Sequence, residues 1–101
     1  ELDLRELMAD YKALLYSAIE RNKEYPLIAR RLGHTGRVRI SFAVERSGNL
    51  VSSTVSECSD FSELDEAALS AVSKASPFPP FPDAILEDAM DFSVTLVFEL
   101  R

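Results

Sequence analysis

The spacing of apolar residues alternates between two periods along this chain, and each change of period marks an element. Residues 2–22, "LDLRELMADYKALLYSAIERN", place Leu4, Leu7, Met8, Tyr11, Leu14, Leu15, Ala18 and Ile19 three or four apart with charges between them, which predicts an amphipathic helix. Such a stripe covers part of a core, and its heptad-like spacing also suits a helix that pairs with a partner. In "EYPLIARRLGHTG", Pro26 fits the first turn of a short helix and Gly33 the left-handed position after its last, so the helix runs over about 26–32. "RVRISFAVER" then alternates, with Val38, Ile40, Phe42 and Val44 on one face and Arg37, Arg39, Ser41 and Glu45 on the other. A turn at "RSGN" leads into "LVSSTVSE", a weaker strand in which Leu50 is out of phase with Val51 and Val55, the mark of a bulge or an edge. The two make an antiparallel hairpin.

"SELDEAALSAVSKAS" is the second strong helix, with Ser62 placed to cap it and Asp65 three residues on. Its face of Leu64, Ala67, Ala68, Ala71, Val72 and Ala75 is mostly alanine, suited to close approach to a sheet. Pro77 ends it. Residues 83–90, "DAILEDAM", have the composition for a helical turn capped by Asp83. "DFSVTLVFELR" closes the chain with Phe92, Val94, Leu96, Phe98 and Leu100 alternating against Ser93, Thr95, Val97 and Glu99. The predicted fold is α+β in the order α-α-β-β-α-β: a three-stranded antiparallel sheet with helices on one face.

Between the second helix and the last strand, "SPFPPFPD" gathers four of the five prolines. Polyproline II geometry puts Phe78 and Phe81 on the same side, a stiff strap with two aromatic pegs. The alternative, a PxxP ligand, would expose both phenylalanines.

Length allows one domain with one modest core. The net charge of −6 argues against a nucleic-acid partner, and Arg37 and Arg39, at alternate strand positions, read as a solvated face. No apolar run approaches the ~20 residues that span a bilayer. The opening at Glu1, without Met or signal peptide, fits a piece of a longer protein. Nor does a catalytic constellation emerge. His34 is the single histidine, in a Gly-flanked loop that reads as a surface turn. Cys58 is the single cysteine, blunted as a nucleophile by Glu57 and Asp60 beside it. Asp83, Glu87, Asp88 and Asp91 lack calcium-loop spacing and read as a solvated face rather than a metal site. No enzyme, metal or cofactor is expected.

The ordered set Tyr25-Pro26, Gly36–Val38, Gly48, Leu64–Ala68, Phe78–Pro82 and the alternating Phe92–Leu100 resembles the C-terminal domain of TonB. The likeness covers residues 24–101 and leaves helix 1–23 as a separate element. The chain departs from the pattern at Cys58-Ser59-Asp60, at Asn22-Lys23-Glu24 and in its acidic charge. The resemblance implies a periplasmic domain of an inner-membrane-anchored protein. Such a domain captures the TonB box of outer-membrane transporters as an added strand and transmits force from the proton-driven ExbB–ExbD motor for uptake of iron–siderophore complexes. The residues it points to are Tyr25 and Pro26, together with Phe92, Ser93, Val94, Thr95, Leu96, Val97, Phe98, Glu99 and Leu100. An uncovered last strand supports this on physical grounds, since its unpaired N–H and C=O groups template another strand and 92–100 holds no lysine or proline to prevent it. The competing expectations are a last strand paired within a homodimer or covered by helix 2–22, a TolA-like module that pairs with itself or another envelope protein, and a sensor domain of a larger membrane protein.

Overall fold

The alternation in the first strand is realised without a break. In the computed structural model, which describes residues 3–100, β1 (Gly36–Glu45) buries Val38, Ile40, Phe42 and Val44 on one face. It is the central strand, in the order β2-β1-β3, with β2 (Leu50–Glu57) and β3 (Ala89–Phe98) antiparallel to it on either side. Ten consecutive pairs join β1 to β3, from Gly36 opposite Phe98 to Glu45 opposite Ala89. The helices α1 (Leu4–Arg21), α2 (Leu27–Leu32) and α3 (Ser62–Ala75) complete the expected α+β order.

Asp3 caps α1 through its carboxylate, which accepts from Arg5 N at 2.9 Å; Leu2, expected to open this helix, lies outside the described residues. The core side of α1 is Tyr11, Leu15 and Ile19, narrower than the predicted stripe, since Leu4 and Leu14 are exposed. From α3, which lies over β1 and β2, Leu64, Ala68, Ala71 and Val72 join them in one core with Phe92, Val94, Leu96 and Phe98 of β3.

Four details differ from the sequence reading. The cap of α3 is Phe61 rather than Ser62; Asp65 instead turns back to accept from Ser59 N and Ser59 Oγ, both at 2.8 Å, which pins the preceding loop. A register shift between Ala43 and Val44 seats Leu50 opposite Val44, so Leu50 and Val55 pack on the core and Val51 faces solvent. Residues 83–90 hold only a turn in which Ile85 N donates to Pro82 O at 2.9 Å, because Ile85 is drawn into the core and Ala89 and Met90 already pair with β1. β3 therefore begins three residues earlier than 92, and Glu99 and Leu100 follow it rather than belong to it.

The proline strap is structural. Phe78 and Phe81 are buried, which removes the PxxP reading. The strap is also bolted to the β1–β2 turn: Phe78 N donates to Gly48 O at 2.8 Å and Phe81 N to Arg46 O at 3.0 Å. Tyr11 Oη donates to Pro79 O at 2.6 Å from the other side, and the Arg46 guanidinium binds the carbonyls of Ile85 and Leu86. The segment runs between a helix and a hairpin turn and fastens both.

Candidate functional site

Among the described residues strand β3 has a neighbour on one side only, and its two sets of residues have different tasks. Phe92, Val94, Leu96 and Phe98 are buried, so their side chains hold the sheet to the helices and are withheld from any partner. Ser93, Thr95 and Val97 alternate with them on the open face of the sheet. In an antiparallel strand the N–H and C=O of one residue point the same way, and successive residues point opposite ways. The carbonyls of Ser93 and Val97 accept from side chains outside the sheet, which assigns Ser93, Thr95 and Val97 to the outward side. Tyr16 Oη donates to Ser93 O at 3.0 Å and Lys23 Nζ to Val97 O at 2.9 Å. Thr95, between them, makes no outward hydrogen bond among the described residues.

Helix α1 positions both donors. Its core residues Tyr11, Leu15 and Ile19 fix it to the sheet, leaving Tyr16 half-buried where it reaches the edge. Lys23 lies just past the helix end, paired with Glu20 at 3.1 Å, with Nζ 5.6 Å from the centroid of the Phe98 ring. Beside the edge, Lys12 and Tyr16 line one wall of a 620 Å³ depression whose floor is Ser41, Ser52, Thr54 and Ser93 of the open sheet face. Sequence reasoning anticipated the strand but not Tyr16 of α1 and Lys23 just beyond it, which lie off the apolar stripe; among the expected possibilities was a last strand covered by the first helix.

Tyr25 and Pro26 stand at the end of β3. The Tyr25 ring meets Phe98 edge-to-face with centroids 5.5 Å apart, and Pro26 caps α2. The Tyr25 hydroxyl donates to His34 O. His34, expected in a bare surface turn, is instead partnered: its ring stacks on Phe61 at 3.8 Å and Nδ1 hydrogen-bonds the Glu63 carboxylate. The structure thus sets Tyr25, with Pro26 next to it in sequence, at the Phe98 end of the Phe92–Phe98 run, while Glu99 and Leu100 lie beyond the strand.

The hydrogen bond from His34, assisted by a backbone N–H, holds the Glu63 carboxyl below its ordinary value of 4.5. A lowered folded pKa contributes stability above the unfolded value and loses it as pH falls through the folded one. Urea midpoints measured as pH falls below about 4.5 should therefore decline more steeply for the native protein than for His34→Gln.

Asp83, Glu87, Asp88 and Asp91 are all exposed, as is Cys58. No helix among the described residues is long and apolar enough to cross a membrane.

With this geometry established, comparison with known proteins is decisive. Residues 21–100 match the family model described as the Gram-negative bacterial TonB protein C-terminal. The chain belongs to this TonB C-terminal family. It is thereby a TonB-type energy-transduction domain. Two solution NMR structures of the Helicobacter pylori TonB C-terminal domain share its fold. The longer is 23% identical, covers 100% of this chain and 97% of its own, and superposes with a TM-score of 0.78. The shorter, also 23% identical, covers 88% and 92% with a TM-score of 0.68. The HasB C-terminal domain, 28% identical over 90% of this chain and 70% of its own, gives 0.53. No curated protein matches the chain.

Proposed function

We propose that this TonB C-terminal domain is a non-enzymatic adaptor that takes the TonB box of outer-membrane transporters as a fourth strand against β3. The observation that carries the reading is the unbroken ten-residue register of β3 against β1, with an outward edge that holds neither lysine nor proline. An extended peptide laid there gains main-chain hydrogen bonds at Ser93, Thr95 and Val97, with Tyr25 and Pro26 at the end of its track. In this reading the domain works in the periplasm of a Gram-negative cell. It hangs from an inner-membrane anchor, is driven by ExbB and ExbD, and serves uptake of cargo such as iron–siderophore complexes. In this reading the family domain is residues 24–101 and residues 1–23 are a helix appended to it; the family match itself begins at residue 21. The same one-sided edge supports a second reading, a homodimer or TolA-like pairing through β3.

The test is an amide NMR titration with synthetic TonB-box peptides, which should move Ser93, Thr95, Val97 and Tyr25 first. Proline at 95 separates backbone from side-chain recognition. The Thr95 N–H points away from β1, so Thr95→Pro spares the β1–β3 ladder while removing an outward donor. Thr95→Pro should weaken peptide binding about 10-fold or more, and Thr95→Ala by no more than about 2-fold. Equal losses for the two would exclude strand addition.

A further inference from the structure

Resting on that reading, we propose that Tyr16 and Lys23 are a gate on the docking edge, occupying the Ser93 and Val97 carbonyls until a partner strand exchanges with them. The two donors match the edge in spacing. From Tyr16 the chain runs through the last turn of α1 and the turn after it, where Asn22 N donates to Ile19 O and Lys23 N to Glu20 O. These seven residues span about 11 Å and the four strand residues from Ser93 to Val97 about 13 Å, a difference that two long side chains absorb. The two bonds therefore bracket Thr95, the one outward residue between them with no hydrogen bond along that edge among the described residues.

The occupant that fits is an extended backbone. An added strand needs N–H donors where the Tyr16 hydroxyl and the Lys23 ammonium now sit, so it cannot complete its ladder while both remain. The helix need not leave, because Tyr11, Leu15 and Ile19 hold it in the core. Only two side chains swing, one half-buried phenol and one lysine whose ammonium lies 5.6 Å from the centroid of the Phe98 ring. Exchange starts at Thr95 and proceeds outward. The lysine end is the tighter half, since a charged donor holds a carbonyl more strongly than a neutral hydroxyl. The gate also shields an otherwise adhesive edge when no partner is present.

Tyr16→Phe and Lys23→Met keep the ring and the stem while removing the donors. The carbonyl carbon resonances of Ser93 and Val97 should shift in the corresponding variants of the whole chain, with the amide spectrum elsewhere unchanged. Affinities for a panel of synthetic TonB-box peptides should rise by between about 3- and 10-fold in each single variant and further in the double variant. Unchanged affinity with shifted carbonyls would overturn the gate and leave strand addition at β3 standing. Weaker binding would overturn it too, by showing that Tyr16 and Lys23 contact the peptide directly. No binding by any form, native or variant, would remove the docking reading and the gate together.

Discussion

Replacing Gly48 with alanine should destabilise the domain by about 3–5 kcal/mol, read as a fall in the urea midpoint at constant slope. Gly48 has φ +98°, where an L side chain is strained, and a Cβ there would lie 2.9 Å from the Phe78 carbonyl carbon and closer still to its oxygen. The neighbour is backbone, so it cannot rotate aside. Relief requires the strap to lift, which breaks the Phe78 N to Gly48 O bond and draws the buried Phe78 ring from its place 5.9 Å from that of Phe42. Gly33 supplies the control. Its φ is +71°, but nothing lies within 4 Å of the added Cβ, so Gly33→Ala should cost only the left-handed backbone strain, about 1–2 kcal/mol. Equal losses at the two glycines would mean that the strap does not bear on the turn.

Tyr11→Ala should cost a comparable amount, about 3–5 kcal/mol, and Tyr11→Phe about 1 kcal/mol. The ring is almost fully buried and meets Phe81 edge-to-face at 5.5 Å and Phe92 at 6.0 Å, so truncation opens a cavity where α1, the strap and β3 converge. The phenylalanine variant keeps that packing and loses only the bond to Pro79 O, whose residue is exposed enough for water to replace it. The two variants also separate at high pH. Burial pushes the Tyr11 hydroxyl above its ordinary value of 10.0. A raised folded pKa gives stability that is complete below the unfolded value and drains away as pH climbs past it, so the native protein should lose stability above about pH 10 more steeply than Tyr11→Phe. Chemical denaturation between pH 8 and 11 on the order of half-unit steps measures this.

The parts of the fold legible in the sequence are those set by short-range periodicity. Val38, Ile40, Phe42 and Val44 alternate because one sheet face is buried, and the proline spacing puts Phe78 and Phe81 on one side for the same local reason. What escaped was decided by contacts between distant residues. Leu50 looks out of phase until the register shift at Val44 turns it inward. Ser62 and Asp65 form a capping pattern, but Ser59 competes for the carboxylate and wins. Residues 83–90 have the composition for a helical turn, yet Arg46, from the β1–β2 turn, takes the carbonyls of Ile85 and Leu86. The candidate site divides in the same way. The predicted order of elements left the last strand at a possible edge, whereas the reach of Tyr16 and Lys23 to carbonyls 77 and 74 positions away in sequence leaves no local pattern.

The two margins of the sheet are unlike. β2 presents Ser52, Ser53, Thr54 and Ser56 along a strand whose pairing with β1 slips twice, between Arg39 and Ile40 and between Ala43 and Val44, while β3 runs straight for ten pairs. A bulged, strongly twisted strand is a poor template and a regular one is good. On the proposed reading, growth of this sheet would therefore be one-directional and would terminate after a single addition. Two copies meeting β3 to β3 in the proposed homodimer would exhaust their adhesive margins and stop at a closed pair. A β3-to-β2 contact, the head-to-tail arrangement that propagates into fibres, is disfavoured by the serine-rich side.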